Sequence, residues 1–352
     1  MERLRSLSMI ACVCNFSLVM HAASAADREP LYVEAAVGDP ENAVELIEAG
    51  ADPNAREEDG WTALMVAAQL NKPDMAETLL DHGSDPNARG ERGETALMIA
   101  AHENDPEMAE TLIEHGANPN ARRESGVTAL MFAAQHNEPD MVETLLDHGA
   151  DPNAREEDGW TALMLAAQHN EPTMAETLIN HGAKTDARNE INATALMIAA
   201  QSNEPDMAET LLDHGSDANA RDEDGWTALM FAAQHNEPDM VETLLDHGAD
   251  PNAREEDGWT ALMLAAQHNE PTMTETLINH GAKTDARNEV NATALMIAAT
   301  GNDPAMVDAL LDHGADPGKR IDQGTTAADF AEDNPAVRNS DVYWRLHEGR
   351  YE

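Results

Sequence analysis

Thiols are nearly missing from this chain of 352 residues: its two cysteines, Cys12 and Cys14, both fall in the first 14 positions. If that segment is removed, nothing remains for disulfides, thiolate metal ligation or cysteine nucleophiles. Aromatic residues are 3% of the sequence, and basic residues number 21 against 67 acidic ones, for a formal net charge of -46. Such a field repels nucleic acid and anionic membrane surfaces and favours basic proteins or cations as partners. Lysine occurs only at Lys72, Lys184, Lys283 and Lys319. An excess of carboxylates of this kind suits either a saline habitat or the solubility of a long array. Beyond residue 25 no stretch approaches the ~18 apolar residues that a membrane span needs, so no membrane insertion is expected. Serines are few there, no Gly-x-Ser-x-Gly turn exists, and the Asp-His neighbour pairs recur along the chain, whereas an active site is asymmetric. The expectation is a protein that is not an enzyme and carries no cofactor.

What is present begins with a leader. Arg3 and Arg5 precede an apolar run from Leu7 to Met20, and Ala23-Ser24-Ala25 follows, the pattern of a secretory signal cleaved after Ala25. Acylation at Cys12 is a weaker alternative, because the apolar run continues past it. The expected location is periplasmic or secreted.

From there a period of 33 governs the sequence. Thr62-Ala63-Leu64-Met65 recurs from Thr95, Thr128, Thr161, Thr194, Thr227, Thr260 and Thr293. The same step reaches Glu29-Pro30-Leu31-Tyr32 backward and Thr326-Ala327-Ala328-Asp329 forward, both diverged as terminal caps are. The division expected is a signal peptide (1–25), an N-terminal capping repeat (26–61), eight repeats (62–325), and a C-terminal capping repeat with tail (326–352). Within a unit, Thr62 suits a helix cap and Leu64, Met65, Ala67 and Ala68 recur at helical spacing on one face. Asn71 tolerates a left-handed helix end, and Pro73 suits the first turn of a second helix reaching about His82, with Met75, Leu79 and Leu80 inside. Asp52-Pro53-Asn54-Ala55 through Asp59-Gly60 has turn chemistry and predicts a projecting, hairpin-like loop. Residues 128–200 repeat as 227–299 except at Ala175/Thr274 and Ile191/Val290, so a block of three units was duplicated.

Leu145-Leu146-Asp147-His148-Gly149, Gly149 to Ala154 and Asp158 to Met164 together resemble the ankyrin repeat, over nearly all of the chain after the leader. The resemblance implies an all-α solenoid of about ten helix-turn-helix units with hairpin-like loops, a protein-binding role, and a monomer. Alanine stands for the family's proline after the threonine, and methionine for its histidine, as at Ala162 and Met164.

Several residue ladders invite a chemical reading. Methionines run from Met65 to Met296 and from Met75 to Met306 in steps of 33. Copper(I) ligation is one reading and core filling the other, and the helical pattern favours the core. Histidines from His82 to His313 each precede a helix-ending glycine, where a cation favours the helix terminus; spaced by a repeat, ~10 Å, they do not converge as a zinc site requires. Asp52 to Arg56 begins like a calcium loop but lacks its glycine and third oxygen, so no metal site is expected. Arginines from Arg56 to Arg320 lie beside acidic residues and read as charge compensation.

If the chain follows the family it resembles, the partner surface is the concave face of loops and first helices. The candidates are Trp61, Trp160, Trp226 and Trp259, each directly before its unit's threonine, with the acidic pairs Glu58/Asp59, Glu157/Asp158, Glu223/Asp224 and Glu256/Asp257. Helix-end Gln135, His136, Gln168, His169, Gln234, His235, Gln267 and His268 join them, with Gln69 at the same position. Tryptophan framed by polar groups is a typical binding hot spot; packing on a neighbouring loop is the alternative. A partner with a basic patch is expected. A structural or protective envelope role, as soluble filler or methionine oxidant sink, and a secreted effector directed at a host are the rival readings. Trp344 with Tyr343 and Leu346 is expected to cover the last unit's open end.

Overall fold

A computed structural model describes residues 30–348, apart from 137, 170, 236, 269 and 302. The leader, both cysteines and the cleavage site after Ala25 lie outside the described residues. Units are numbered here from residue 28 in steps of 33, so that each from the second on opens on the residue before its threonine.

Each complete unit is an inner helix, an outer helix and a projecting finger. The inner helix starts where Thr62, Thr95, Thr128, Thr161, Thr194, Thr260 and Thr293 accept, at 3.4 Å, the amide of the methionine three residues on. It is short, for example Ala63–Gln69, and packs against its own outer helix and the inner helices of both neighbouring units. Surrounded in this way it keeps no polar face: Ala63 to Ala68 are all buried. The sequence pattern suggested one buried face, but the fourth helical position, Val66, Ile99, Phe132, Leu165, Ile198, Phe231 and Leu264, is buried as well. Alanine at three of the five other buried positions lets the helices approach closely enough to stack.

At Asn71 the chain turns back with φ 50°, and the equivalent Asn104 and Asn203 adopt 56° and 57°. Pro73 then opens the outer helix, Pro73–Asp81, which buries Met75, Ala76, Leu79 and Leu80 and leaves its acids outside. Gly83, at φ 92°, ends it.

The fingers are hairpins closed by two backbone bonds, in the first Glu57 N to Trp61 O and Gly60 N to Glu57 O, both at 2.9 Å. Each tip donates one amide to its predecessor, as Glu91 N to Asp59 O (3.2 Å) and Glu157 N to Ser125 O (2.8 Å). Gly126 sits at φ +83°, and a Cβ there would lie 2.9 Å from the Cα of Glu156, so glycine is required on both counts.

Two side-chain ladders sew unit to unit. Asn87 donates to Gly116 O at 2.8 Å and accepts from Asn118 N at 2.8 Å, and Asn54, Asn120, Asn153, Asn219 and Asn252 do the same in their units. Arg89 donates to Arg122 O (2.8 Å) and Arg122 to Arg155 O (3.2 Å); Arg56, Arg188, Arg221 and Arg254 make the same link. The arginines therefore satisfy the next finger's backbone, where ion pairing with nearby acids was expected. The histidines before the glycines close the outer helices: Nδ1 of His82, His115, His148, His181, His214, His247 and His280 lies 2.8 to 2.9 Å from the threonine carbonyl four residues back.

Unit 10 is a cap. Thr326 and Asp329 form a capping box, and two short helices, Pro335–Arg338 and Val342–Glu348, close the stack. Leu346 is fully buried and Tyr343 half-buried, as expected of a plug. Trp344 is 68% exposed, so it lies outside that plug, contrary to the expectation that it covers the end. Its helix is instead fixed by Arg345, which pairs with Asp308 and Asp312 on the preceding unit.

Candidate functional site

The residue before each unit's threonine lies where the finger meets the inner helix, and at three of the tryptophans its backbone is held by a carboxylate four positions earlier. Trp160 N donates to Glu156 (2.8 Å), Trp226 N to Asp222 (2.7 Å) and Trp259 N to Glu255 (2.7 Å), while Trp61 N reaches Asp59 at 3.1 Å. Burial pushes the Asp222 carboxyl above the usual range, opposed by the amides of Trp226 and Asp224. Of these bracing acids, Glu156, Asp222 and Glu255 were not singled out in the sequence; their regular place four residues before tryptophan was the available signal.

The indoles turn inward over the fourth-position ladder. Trp226 lies 5.1 Å from the Phe231 ring, and Trp61, Trp226 and Trp259 are half-buried against the core. Trp160 is only 4% exposed, which corrects the expectation that it presents an indole to a partner. It packs instead within the hydrophobic core, as in the alternative reading. Where tryptophan is absent near the N-terminal end, other groups take over. Arg123 lies over the Phe132 ring at 5.8 Å and pairs with buried Glu94 at 3.7 Å.

The acidic candidates stand differently. Glu58, Asp59, Glu157, Asp158, Glu223, Glu256 and Asp257 are exposed at the finger tips, and Asp224 is half-buried. Their backbones are engaged between fingers while most of their carboxylates face water. Away from the finger tips, His136, His169, His235 and His268 are exposed at the ends of inner helices, with Gln267 exposed and Gln135, Gln168 and Gln234 half-buried. His102, half-buried near the inner helix's end one unit earlier, was not singled out; its ring lies 4.6 Å from that of His136. Desolvation, then the nearby His102 and His169, hold the His136 pKa below its ordinary value. The surface thus offers a row of carboxylates and a parallel row of imidazoles on a backbone whose polar groups are already paired.

The chemical alternatives fare unequally. All sixteen ladder methionines are at most 2% exposed, so their thioethers are core filler. No group of three or more His, Cys, Asp or Glu among the described residues is arranged to hold a metal ion. No helix among them is long and apolar enough to cross a membrane.

A family model described as ankyrin repeats (3 copies) matches residues 31–123, 120–189, 185–255 and 248–321. No curated protein matches the chain.

Proposed function

The chain belongs to the ankyrin-repeat family, generally a protein-interaction module, and from that premise we propose that it binds a basic protein in the periplasm or outside the cell. One observation carries the reading: exposed carboxylate pairs stand in register on finger after finger, with no competing bond to the scaffold for most of them. A rigid row of anionic groups recognises a complementary row of cations and speeds their encounter. Export rests on the leader pattern of residues 1–25. Because the sixteen ladder methionines are buried in the fold, the oxidant-sink alternative lacks an accessible thioether among the described residues.

The test is a pull-down from envelope extract of the native host, comparing the wild type with a variant carrying E157Q, D158N, E223Q, E256Q and D257N. The expected result is a stoichiometric, salt-sensitive partner captured by the wild type and lost from the folded variant. Capture of the same partner at unchanged affinity by the variant would overturn the acidic surface. Mass spectrometry of the protein from its host addresses export: a mature chain starting at Ala26 is expected, and an intact Met1 would remove that part of the proposal.

A further inference from the structure

Across units 2 to 9 the cover over the fourth-position ladder has one gap. In units 5, 7 and 8 that cover is Trp160, Trp226 and Trp259, and beneath them Leu165, Phe231 and Leu264 are 3 to 4% exposed. Unit 9 has Ala292 at this position, and Ile297 beneath it is half-exposed, as is Phe330 in the next unit. The loss of an indole alone does not open the surface. Unit 6 also has alanine, Ala193, yet its Ile198 is 3% exposed, because tryptophans stand on both sides. Unit 9 has Trp259 on one side only, and Thr325 in the corresponding place on the other. The result is a notch of about 230 Å³ lined by Trp259, Ala292, Met296, Ile297, Thr300 and Phe330 among others. Its space is of the kind that an indole fills in the neighbouring units.

The charge around the notch selects what enters it. Glu256 and Asp257 on the finger beside Trp259, and Glu289 and Asp322 on the next two, are exposed. The nearby cations are committed elsewhere: Arg254 donates to Arg287 O, and Lys319 pairs with Asp285 and Asp316. An apolar floor ringed by exposed carboxylates, of which Asp322 also accepts from Asn291 Nδ2 at 2.6 Å, suits a large apolar side chain flanked by basic residues, and disfavours a second copy of this acidic chain.

We propose that the notch in unit 9 is the anchoring pocket of the concave surface, taking one leucine- or phenylalanine-sized side chain from a cationic segment of a protein partner. This rests on the reading of the chain as a binder of basic proteins and adds to it where the partner is gripped and by what. The acidic fingers attract the segment; the notch sets its register.

The experiment is calorimetric titration of the full chain at low salt with the peptides Lys-Lys-Gly-X-Gly-Lys-Lys, where X is Ala, Leu or Phe. The Leu and Phe peptides are expected to bind at least about fivefold more tightly than the Ala peptide, as partial burial of a large apolar side chain implies. The A292W variant, which restores the residue found in units 5, 7 and 8, should abolish that preference while leaving the Ala peptide's affinity unchanged. T300F, placed at an exposed rim position where nothing needs repacking, should do the same and decides the matter if A292W does not fold. Equal binding of all three peptides to the wild type, or an undiminished preference in the folded variants, overturns the notch and leaves the cationic partner standing. Failure of every peptide to bind overturns both.

Discussion

Asn54, Asn87, Asn120, Asn153, Asn219 and Asn252 use both ends of the amide, one on the glycine carbonyl that ends the next outer helix and one on the amide that follows it. In two units aspartate takes the place. Asp186 accepts from Asp217 N at 2.9 Å and Asp285 from Asp316 N at 2.9 Å, but an ionised carboxylate has no hydrogen to give the carbonyl. D186N should therefore stabilise the fold by about 0.5–1.5 kcal/mol, the usual worth of one added hydrogen bond, and D285N by less, because it also gives up the Lys319 ion pair. Urea unfolding reads this as a higher midpoint; an unchanged or lower midpoint for D186N would mean that the glycine carbonyls have no use for the donor.

At the scale of the element, the outer helices end on a titratable device. His115, His181, His247 and His280 place Nδ1 on a threonine carbonyl of their own helix and Nε2 within 3.3 to 3.4 Å of Asp81, Asp147, Asp213 and Asp246 on the preceding unit. The backbone bond, chiefly, and the aspartate raise each histidine above its ordinary value. A raised folded pKa means that the native state holds the proton more tightly than the unfolded chain. That stabilisation is complete below the unfolded value, near 6.5, and disappears as pH rises through the folded value. The stack should thus be more stable at pH 5.5 than at pH 8. Replacing the four histidines by glutamine should flatten much of that dependence in denaturant titrations. His136, with its lowered value, works in the opposite direction, and an equal pH slope in wild type and quadruple variant would assign the effect to other groups.

Across the whole molecule, repulsion opposes the compact stack. Removing the leader, whose formal charge is +1, from a chain of -46 leaves -47, carried largely on outer helices and finger tips. Added salt screens such charges, so the melting midpoint followed by circular dichroism should rise between low and molar salt. A flat midpoint would show that the surface carboxylates are too far apart to matter and would remove salt adaptation as an explanation of the composition.

The sequence by itself determined the period, the number of units, the place of both helices in each unit and the histidine-glycine stop. These follow from local chemistry: a threonine cap, an asparagine that accepts positive φ, a proline in the first turn, a glycine after the last. The acidic tips and the exposed imidazoles were legible for the same reason, since charge at a turn or a helix end stays in water. What only the tertiary structure decided is how neighbouring copies meet. Burial of the whole inner helix, the turning inward of Trp160, the arginines' choice of backbone over carboxylate, and the notch beside Ala292 all depend on the residue 33 positions away. Ala193 and Ala292 are the same residue at the same place in the repeat, and one is sealed while the other stands open. The difference is the tryptophan that flanks one side of unit 9 and both sides of unit 6, a distinction set by packing between units and not by either unit alone.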